Sequence, residues 1–417
     1  MEQADVEGAY LNGNLDEELY LTPPDAVVLN NPRCNVLRLR KSIYGLRQSG
    51  RAWWLELSDA LESLGFNRVQ DEWGLHTRIN KDGSSTIVLI YVDDILVAAT
   101  SRDETLKVLN SLNDRWRTSS LGPPQHILGL RVQLLPNGSY GLSQTTYIET
   151  MARKYEVTNL KGGKSAPLPT VKQLSTLHPS SPKLEKPQAQ TYLELVGILL
   201  WLANATRIDL AYTASFLGRY SPSCTQQLMD LAHRALGYAY HTRELTLILG
   251  NSKDPNFHIF VDSDFGGCLA TRASTTGYVS FVYGSPISWT SRRQSSVASS
   301  STAAEYIAAA EAVQEIMWLR RLLKQLGVLP SPKPPPTLLY IDNQASIHIG
   351  RKPVYFARTK SLDIKYHIVR ERVEKKVVIL KYVPSTDQLA DGLTKPLGGP
   401  AHHAAQQQWQ LRLFSRV

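Results

Sequence analysis

The sequence has 417 residues, a length that at roughly 150 residues per domain corresponds to two or three domains. Hydrophobic residues make up 42% and charged residues 20%, which is typical of a globular protein and excludes collagen, a long coiled coil and general disorder. The net charge of +9 favours a polyanionic partner. The longest apolar run, residues 195–203, is too short for a membrane helix, which needs about 20 residues, so we expect no membrane association.

The cysteines and the first residues indicate the compartment. Cys34, Cys224 and Cys268 are odd in number and far apart, which argues against a disulfide framework or a zinc site and fits a reducing compartment. The start, MEQADVEGAY, has no apolar segment of the kind that signal peptides carry. We therefore expect an intracellular protein that is not secreted.

In chain order, the first 160 residues alternate between strand-like and helical patterns. Residues 52–64 have the apolar spacing of a helix, and Gly65 follows where a helix should end. Residues 86–92 form a continuous β-branched run, typical of a buried strand. The segments 130–134 and 140–142 flank Pro136-Asn137-Gly138, which predicts a hairpin.

The rest of the chain divides by composition. We predict a proline-rich surface linker at 161–188, a helical region at 189–250 with helices at 190–202 and 226–240, and a domain at 255–397. In that domain we predict a strand at 257–261, a long helix at 300–326, a strand at 337–341 and a short helix near Ala390. We expect the polar residues 398–417 to form a frayed tail. The predicted fold class is α/β.

Carboxylates stand at the ends of apolar strands in the first region. Tyr91-Val92-Asp93-Asp94 closes a buried strand, where two adjacent carboxylates repel each other unless solvent or cations neutralise them. A solvated turn explains such a pair equally well. Asp5 lies in a second short strand-like stretch. Carboxylates that converge from separate strands are what a two-metal site for phosphoryl transfer requires, with Mg²⁺ ions about 3.5–4 Å apart.

A second acidic set occupies the last domain. Asp262 follows the strand at 257–261, with Asp264 two residues further on. Glu305 lies in the first turns of the long helix, Asp342 follows the strand at 337–341, and Asp391 lies in QLADGLTK. Each has an ordinary explanation, since a glutamate at a helix N-terminus complements the dipole and a strand-end aspartate starts a turn. We expect Asp262, Glu305, Asp342 and Asp391 to gather at one end of the sheet, and four carboxylates in one place predict a metal site.

Basic residues mixed with aromatic ones form a third feature. No acidic residue interrupts this stretch, whose basic members are Arg38, Arg40, Lys41, Arg47 and Arg51. These side chains could neutralise phosphates while Tyr44, Trp53 and Trp54 stack on bases or sugars, although core packing is the more common fate of such tryptophans. A second basic stretch covers Arg351, Lys352, Arg358, Lys360, Lys365, Arg370 and Arg372.

Several ordered motifs carry a family resemblance from about residue 3 to residue 397. They include ADVEGAYLNGNL, KSIYGLRQSGRAWW, LIYVDDILVA, SSSTAAEYIAAAEA, IDNQASI and YVPSTDQLADGLTKPL. The chain resembles the C-terminal half of the Pol polyprotein of copia-type long-terminal-repeat retrotransposons, in which reverse transcriptase precedes RNase H. The resemblance implies a palm at 1–160, a thumb and connection at 189–250 and an RNase H-like domain at 255–397.

The resemblance also implies roles for individual residues. Asp5, Asp93 and Asp94 match the metal carboxylates of the polymerase palm. Tyr10 matches the ring under the incoming sugar, and Gln48 the position that touches the incoming nucleotide. The four acidic residues of RNase H, which hold two Mg²⁺ ions with Mn²⁺ as the alternative, match Asp262, Glu305, Asp342 and Asp391. The implied partners are RNA, DNA, RNA–DNA hybrids and deoxynucleoside triphosphates, in the cytoplasm within a virus-like particle or in the nucleus.

The sequence departs from the family pattern at two points. The family's fingers precede the motif with Asp5, and this sequence begins four residues before Asp5. Cellular RNase H enzymes carry a histidine loop ahead of the last aspartate, whereas here Tyr382 to Asp387 leads directly to Asp391, and His402 and His403 fall in the predicted tail.

We expect weak DNA synthesis and retained hybrid cleavage. The alternatives are full reverse transcriptase activity, RNase H activity alone, and a non-catalytic nucleic-acid-binding relic.

Overall fold

The computed structural model describes residues 1–24, 35–160, 165–174, 181–250, 252–268, 271–330, 332–351 and 360–413, with the side chains of 360–366 excepted. Cys34, Lys352 and Arg358 lie outside the described residues, as do the side chains of Lys360 and Lys365. The described chain is a mixed α/β protein that forms two compact units, Met1–Gln125 with Arg320–Lys333, and His126–Leu319 with Pro334–Val417. In the described part, no helix is long and apolar enough to cross a membrane.

The first unit is built on a six-stranded sheet in the order β4-β5-β6-β7-β1-β8. Its strands are β1 (Glu2–Val6), β2 (Tyr20–Leu21), β3 (Leu37–Arg38), β4 (Asn67–Arg68), β5 (Leu75–Ile79), β6 (Ser85–Tyr91), β7 (Asp94–Ala98) and β8 (Thr118–Gly122), of which β2 and β3 form a separate ladder. Its helices before Gln125 are α1 (Ala9–Asn12), α2 (Ser49–Ser63) and α3 (Arg102–Asn113). The predicted helix at 52–64 corresponds to α2, and Gly65 follows it at a φ of 84°.

Alternation of apolar residues explains how this sheet buries one face. In β6 every second residue is buried, at Thr86, Val88 and Ile90, and β7 continues the pattern with Ile95 and Val97. The apolar side chains among these form a core with residues of α2 and α3, namely Trp53, Leu57, Leu61, Val108, Leu109 and Leu112. Asp5, Asp93 and Asp94 lie outside this core and are half-buried.

The second unit contains two five-stranded sheets, β18-β12-β11-β10-β9 and β15-β14-β13-β16-β17. The first comprises β9 (His126–Ile127), β10 (Leu130–Leu134), β11 (Tyr140–Ser143), β12 (Leu245–Leu249) and β18 (Leu411–Leu413); the second comprises β13 (His258–Asp264), β14 (Thr275–Val282), β15 (Ser285–Arg293), β16 (Thr337–Ile341) and β17 (Val378–Tyr382). In the second sheet β13, β16 and β17 are parallel neighbours, whereas β14 and β15 are antiparallel. The predicted hairpin at 130–142 is present as β10 and β11.

The helices of the second unit are α4 (Thr145–Lys154), α5 (Val171–Leu174), α6 (Lys186–Ala205), α7 (Ala211–Gly218), α8 (Gln226–His241), α9 (Ser301–Gln325), α10 (Gln344–Arg351), α11 (Lys360–Glu374) and α12 (Gly399–Gln408). Residues of α4 to α8 and of α12 contribute to an apolar core in which Leu199, Leu202 and Leu236 are fully buried. From Arg320 onward, α9 groups with the first unit. The finer division into palm, linker, thumb and connection, and RNase H domain stays a prediction.

Four local predictions were wrong. Residues 398–417 were predicted to fray, but α12 and β18 fold onto the second unit, because β18 pairs with β12 and Trp409 is fully buried. The region 189–250 is not helical to its end, since Leu245–Leu249 is a strand. The predicted surface linker buries Ala166, Leu168 and Leu174. Asp262 lies inside β13 rather than after the strand. The short helix predicted near Ala390 is present as the 3₁₀ turn Asp391–Leu393.

Candidate active sites

Three of the four predicted RNase H carboxylates meet at one end of the sheet in the second unit. Asp262 lies in β13, Asp342 directly follows β16, and Glu305 lies in the second turn of α9. Because β13 and β16 are parallel neighbours, their carboxyl ends meet at the same sheet edge. One carboxylate oxygen of each residue lies within 4.8 Å of those of the other two.

Alanines let the helix bring Glu305 close to the sheet. Ala304, Ala308, Ala309 and Ala312 are at most 1% exposed, and side chains this small allow a short distance between helix and sheet. Glu305 itself is 6% exposed. These alanines all lie in the motif SSSTAAEYIAAAEA together with Glu305, and the structure buries all of them.

Hydrogen bonds position the three carboxylates but leave one oxygen unsatisfied. The Ser263 amide donates to Glu305 Oε1 at 3.3 Å, and Ser385 Oγ donates to Asp342 Oδ2 at 3.0 Å. The Thr394 hydroxyl donates to Asp262 Oδ2. Among the described residues Glu305 Oε2 is buried without a hydrogen-bond partner. A buried carboxylate oxygen without a donor is costly, and a cation coordinated there would satisfy it.

The electrostatics of the cluster also fit a cation. Burial raises the pKa of Glu305 above its ordinary value, and the charges of Asp262 and Asp342 raise it further. Burial likewise raises the pKa of Asp262, although the Thr394 hydroxyl opposes this change. Both shifts arise because negative charge is crowded in a site with little solvent. A bound divalent cation would favour the ionised carboxylates, and three oxygens at this spacing could hold one.

The fourth predicted carboxylate, Asp391, is not a member of this group. It lies in the 3₁₀ turn Asp391–Leu393, and its Oδ2 is 2.9 Å from Lys395 Nζ. Its charge nevertheless raises the pKa of Asp262. Thr394 and Lys395 were not predicted as site residues, although both lie in the same motif as Asp391, LADGLTKPL. The segment therefore contributes the Thr394 hydroxyl to the cluster and places the Asp391–Lys395 ion pair beside it.

In the first unit, sheet pairing brings the predicted polymerase carboxylates to one sheet end. Asp5 in β1 is the register partner of Asp94, the first residue of the antiparallel strand β7. Asp93 lies in the turn between β6 and β7, where Val92 has a φ of 58°. A β-branched residue with positive φ is strained and persists where the surrounding structure holds it. The Trp53 indole nitrogen donates to the Val92 carbonyl at 2.6 Å, which fixes this turn.

These three carboxylates are half-buried and interact electrostatically. Burial raises the pKa of Asp5, and Asp93 and Asp94 raise it further. Gln3 Nε2 donates to Asp94 Oδ1 at 3.1 Å. Within the described ranges, however, the compact group of three ligand oxygens is the one in the second unit, and the Asp5, Asp93 and Asp94 oxygens are spaced more widely.

The predicted nucleotide-contact residues lie in the same unit. The Tyr10 ring is half-buried, and its centroid lies 4.9 Å from that of the exposed Tyr44. Gln48, the residue before α2, donates through Nε2 to Glu17 Oε1 at 2.7 Å. Both residues thus make contacts within the protein, and their contact with a nucleotide stays a prediction.

The predicted basic residues are exposed, and several contact acidic or polar groups. Arg38 forms an ion pair with Glu18 at 2.7 Å, and Arg51 contacts Asp16 at 3.4 Å. Lys41 Nζ donates to Asn14 Oδ1 at 2.7 Å. Arg40 and Arg47 are also exposed. Exposed ion pairs contribute little energy, so a nucleic-acid phosphate could replace the acidic partner of either arginine.

The two tryptophans of this stretch differ in environment. Trp53 is 1% exposed and packs in the core, as tryptophans in such stretches more commonly do. Trp54 is only partly buried, and its ring lies 5.1 Å from that of Trp73. Arg68 lies over both of these rings, 5.5 Å from the Trp54 centroid and 4.8 Å from the Trp73 centroid. Trp54 therefore packs within a surface cation–π cluster.

Comparison with known proteins places these sites in a family. Residues 1–170 match the family model described as reverse transcriptase (RNA-dependent DNA polymerase). The Pol polyprotein from transposon RE2 of Arabidopsis thaliana is 34% identical over 95% of this chain and 26% of its own length. The putative transposon Ty5-1 protein of Saccharomyces cerevisiae is 33% identical over 75% of this chain and all of its own length.

Among solved structures, a foamy viral protease-reverse transcriptase in complex with RNA/DNA hybrid covers 92% of this chain and 44% of its own, with a TM-score of 0.49 and 11% identity. This likeness is too weak to support an assignment. The chain spans less than a third of the length of the plant Pol polyproteins that it matches, which are 30% and 34% identical to it. Because the match to the Ty5-1 protein covers all of that protein at 33% identity, the chain belongs to the family of copia-type retrotransposon Pol polyproteins.

Proposed function

We propose that the second unit hydrolyses the RNA strand of RNA–DNA hybrids with two Mg²⁺ ions, Mn²⁺ being the alternative. Asp262, Glu305 and Asp342 would hold the first ion, and Asp391 would contribute to the second. The observation that supports this proposal is the group of three carboxylate oxygens within 4.8 Å of one another, with Glu305 Oε2 buried and without a partner among the described residues. Hard oxygen ligands in this number suit Mg²⁺.

The protein side chains supply the positions and the charge. When bound, the metal ions would activate water and stabilise the leaving oxygen of the RNA phosphodiester. The Thr394 hydroxyl donates to Asp262 Oδ2 and the Ser385 hydroxyl to Asp342 Oδ2, so the other oxygen of each carboxylate would be available to a bound ion. The Ser263 amide holds Glu305 Oε1, which leaves Oε2 for coordination.

Hybrid cleavage by the purified chain tests this proposal. Asp262→Asn keeps the shape of the side chain but removes a ligand charge, so we expect the cleavage rate to fall by at least about 10²-fold with the fold intact by circular dichroism. Asp387→Asn is the matched control, because Asp387 is exposed in the segment that leads to Asp391 and is not part of the carboxylate group. Cleavage that survives Asp262→Asn would show that the site lies elsewhere.

A second activity, RNA-directed DNA synthesis from deoxynucleoside triphosphates, is supported by the pairing of Asp5 with Asp94 in the sheet of the first unit. We propose Asp5, Asp93 and Asp94 as its metal carboxylates, Tyr10 and Gln48 as nucleotide contacts, and the basic residues Arg38, Arg40, Lys41, Arg47 and Arg51 as the nucleic-acid surface. The pairing brings two carboxylates from separate strands to one sheet end, as nucleotidyl transfer requires.

Primer extension on an RNA template, run beside hybrid cleavage, separates the two activities. Asp94→Asn should reduce extension by at least about 10²-fold and leave cleavage unchanged, and Asp262→Asn should do the reverse, because the two proposed sites share no ligand. Asp114→Asn, an exposed aspartate after α3, is the control for the first unit. Hybrid binding without either reaction would instead support the non-catalytic alternative.

A further inference from the structure

The segment that follows Asp391 places the Lys395 ammonium beside the carboxylate cluster. The 3₁₀ turn Asp391–Leu393 directs Thr394 and Lys395 back toward the sheet, and Thr394 is fully buried. The Thr394 hydroxyl donates to Asp262, while Lys395 Nζ lies 2.9 Å from Asp391 Oδ2. Two consecutive side chains therefore contact two different carboxylates of the proposed nuclease site.

The backbone of this segment has little freedom to move away. Gly277 of β14 is the register partner of Asp262, and a Cβ atom at Gly277 would lie 2.7 Å from Thr394 Cγ2. The amide nitrogens of Thr394 and Lys395 both donate to the Asp391 carbonyl, at 3.1 and 3.2 Å. Lys395 is thus held at the cluster by its own backbone, whereas its side chain remains 46% exposed and able to change rotamer.

The charge of Lys395 interacts with other carboxylates besides its ion-pair partner Asp391. Partial burial would lower the pKa of this ammonium, but Asp391, Asp262 and Asp342 together raise it. In return, its charge opposes the rise in the pKa of Asp262 and of Asp264. One ammonium therefore compensates part of the negative charge that a second divalent cation would otherwise neutralise.

We propose that the Lys395 ammonium is an internal counter-ion of the nuclease carboxylates, seated beside Asp391, and that a divalent cation using Asp391 must displace it. This inference rests on the proposed nuclease function. Lys395 then acts as a positioning residue, because it keeps Asp391 in place without metal and makes the second cation position the weaker one. Removing its charge should strengthen divalent-cation binding, since a competing positive charge is lost.

Mn²⁺ binding to the full chain, measured as free Mn²⁺ by electron paramagnetic resonance without nucleic acid, tests this inference. All variants carry Asp94→Asn to weaken ion binding in the first unit. Lys395→Gln, and Lys395→Met as a second neutral variant, should bind Mn²⁺ about three- to tenfold more tightly, while Lys395→Arg should bind as the parent does. Equal or weaker binding by both neutral variants would overturn the inference.

Lys375→Gln is the matched control, because Lys375 forms an i,i+4 pair with Glu371 at 2.6 Å, as Lys395 does with Asp391. Without divalent ions, Lys395→Gln should lower the Tm by about 2–4 °C and Lys375→Gln by less. Equal losses would make Lys395 an ordinary surface ion pair and overturn the inference. Asp262→Asn should abolish the tight Mn²⁺ site, and if it does not, the proposed nuclease site itself fails.

Discussion

At the scale of single residues, the absence of a side chain at Gly277 makes room for the segment that carries Asp391, Thr394 and Lys395. Gly277 lies opposite Asp262 in the antiparallel ladder of β13 and β14. A Cβ atom there would come within 2.8 Å of Leu393 Cβ as well as meeting Thr394. The absence of a side chain therefore lets the segment carrying Asp391, Thr394 and Lys395 pack against the sheet.

Gly277→Ala should displace that segment. We expect a loss of about 1–3 kcal/mol in the free energy of unfolding, since the added methyl meets backbone and Cβ atoms that cannot simply rotate away, and at least about a tenfold loss of hybrid cleavage. Urea denaturation and the cleavage assay measure both effects. Gly398→Ala is the control, because nothing lies within 4 Å of its added Cβ. Unchanged cleavage in Gly277→Ala would show that the segment does not serve the site.

A buried histidine in the first unit should make stability depend on pH. His76 is fully buried, with Nε2 2.9 Å from Ser58 Oγ, and burial lowers its pKa to about 4, helped by the charge of Arg68. Below a pH of about 6.5 the unfolded chain binds a proton that the folded chain does not. The stability that neutral His76 provides is therefore complete above pH 6.5 and is lost as the pH falls toward 4.

Replacing His76 tests this dependence. Between pH 6.5 and 4 we expect His76→Gln to lose stability less steeply than the parent, by about 1 kcal/mol per pH unit. Urea denaturation at a series of pH values gives the two slopes. His348→Gln, at an exposed histidine, should keep the slope of the parent. If His76→Gln has the parent's slope as well, His76 does not remain neutral in the folded chain.

At the scale of whole elements, the C-terminal helix and strand complete the core of the second unit. Strand β18 is the edge strand beside β12, and α12 contributes His402 and Gln406 to a buried polar network. The centre of this network is Asp209. Burial raises the pKa of Asp209, but the Arg207 guanidinium, 2.8 Å away, more than reverses this and holds it well below its usual range.

Trp409, between these two elements, should be among the most costly residues to truncate. It is fully buried, and its indole nitrogen donates to the Leu389 carbonyl at 2.9 Å. Trp409→Ala should lower the free energy of unfolding by about 3–5 kcal/mol, because it leaves a large cavity and an unsatisfied carbonyl. Urea denaturation followed by circular dichroism measures this loss. Trp73→Ala, at a tryptophan that is 63% exposed, should cost far less.

At the scale of the whole molecule, the net charge of +9 should govern binding to nucleic acid. With about six phosphate contacts, affinity for an RNA–DNA hybrid should fall about 10³-fold between 50 and 200 mM salt, because each contact releases counterions. Fluorescence anisotropy across a salt series gives the slope. Arg40→Ala with Arg47→Ala should reduce that slope by about 2, whereas the exposed Lys253→Ala should leave it unchanged. Affinity that does not depend on salt would contradict the proposed surface.

The sequence by itself determined the features that depend on local pattern. The continuous β-branched run at 86–92 and the turn residues at Pro136-Asn137-Gly138 predicted strand β6 and the β10–β11 hairpin. Apolar spacing predicted α2 and the long helix α9 to within a few residues. Asp342 could be found for the same reason, since the side chain that follows an apolar strand lies at the sheet edge.

Only the tertiary structure decided what depends on distant pairing. The polar composition of 398–417 predicted a frayed tail, because the pairing of β18 with β12, about 160 residues away in sequence, has no local signal. For the same reason the sequence did not show that Trp53 is buried while Trp54 is partly exposed. Nor did it show that Asp391 lies beside Lys395 and outside the group of three carboxylates. Local pattern identifies which residues can form a site, and packing between distant segments determines which of them meet.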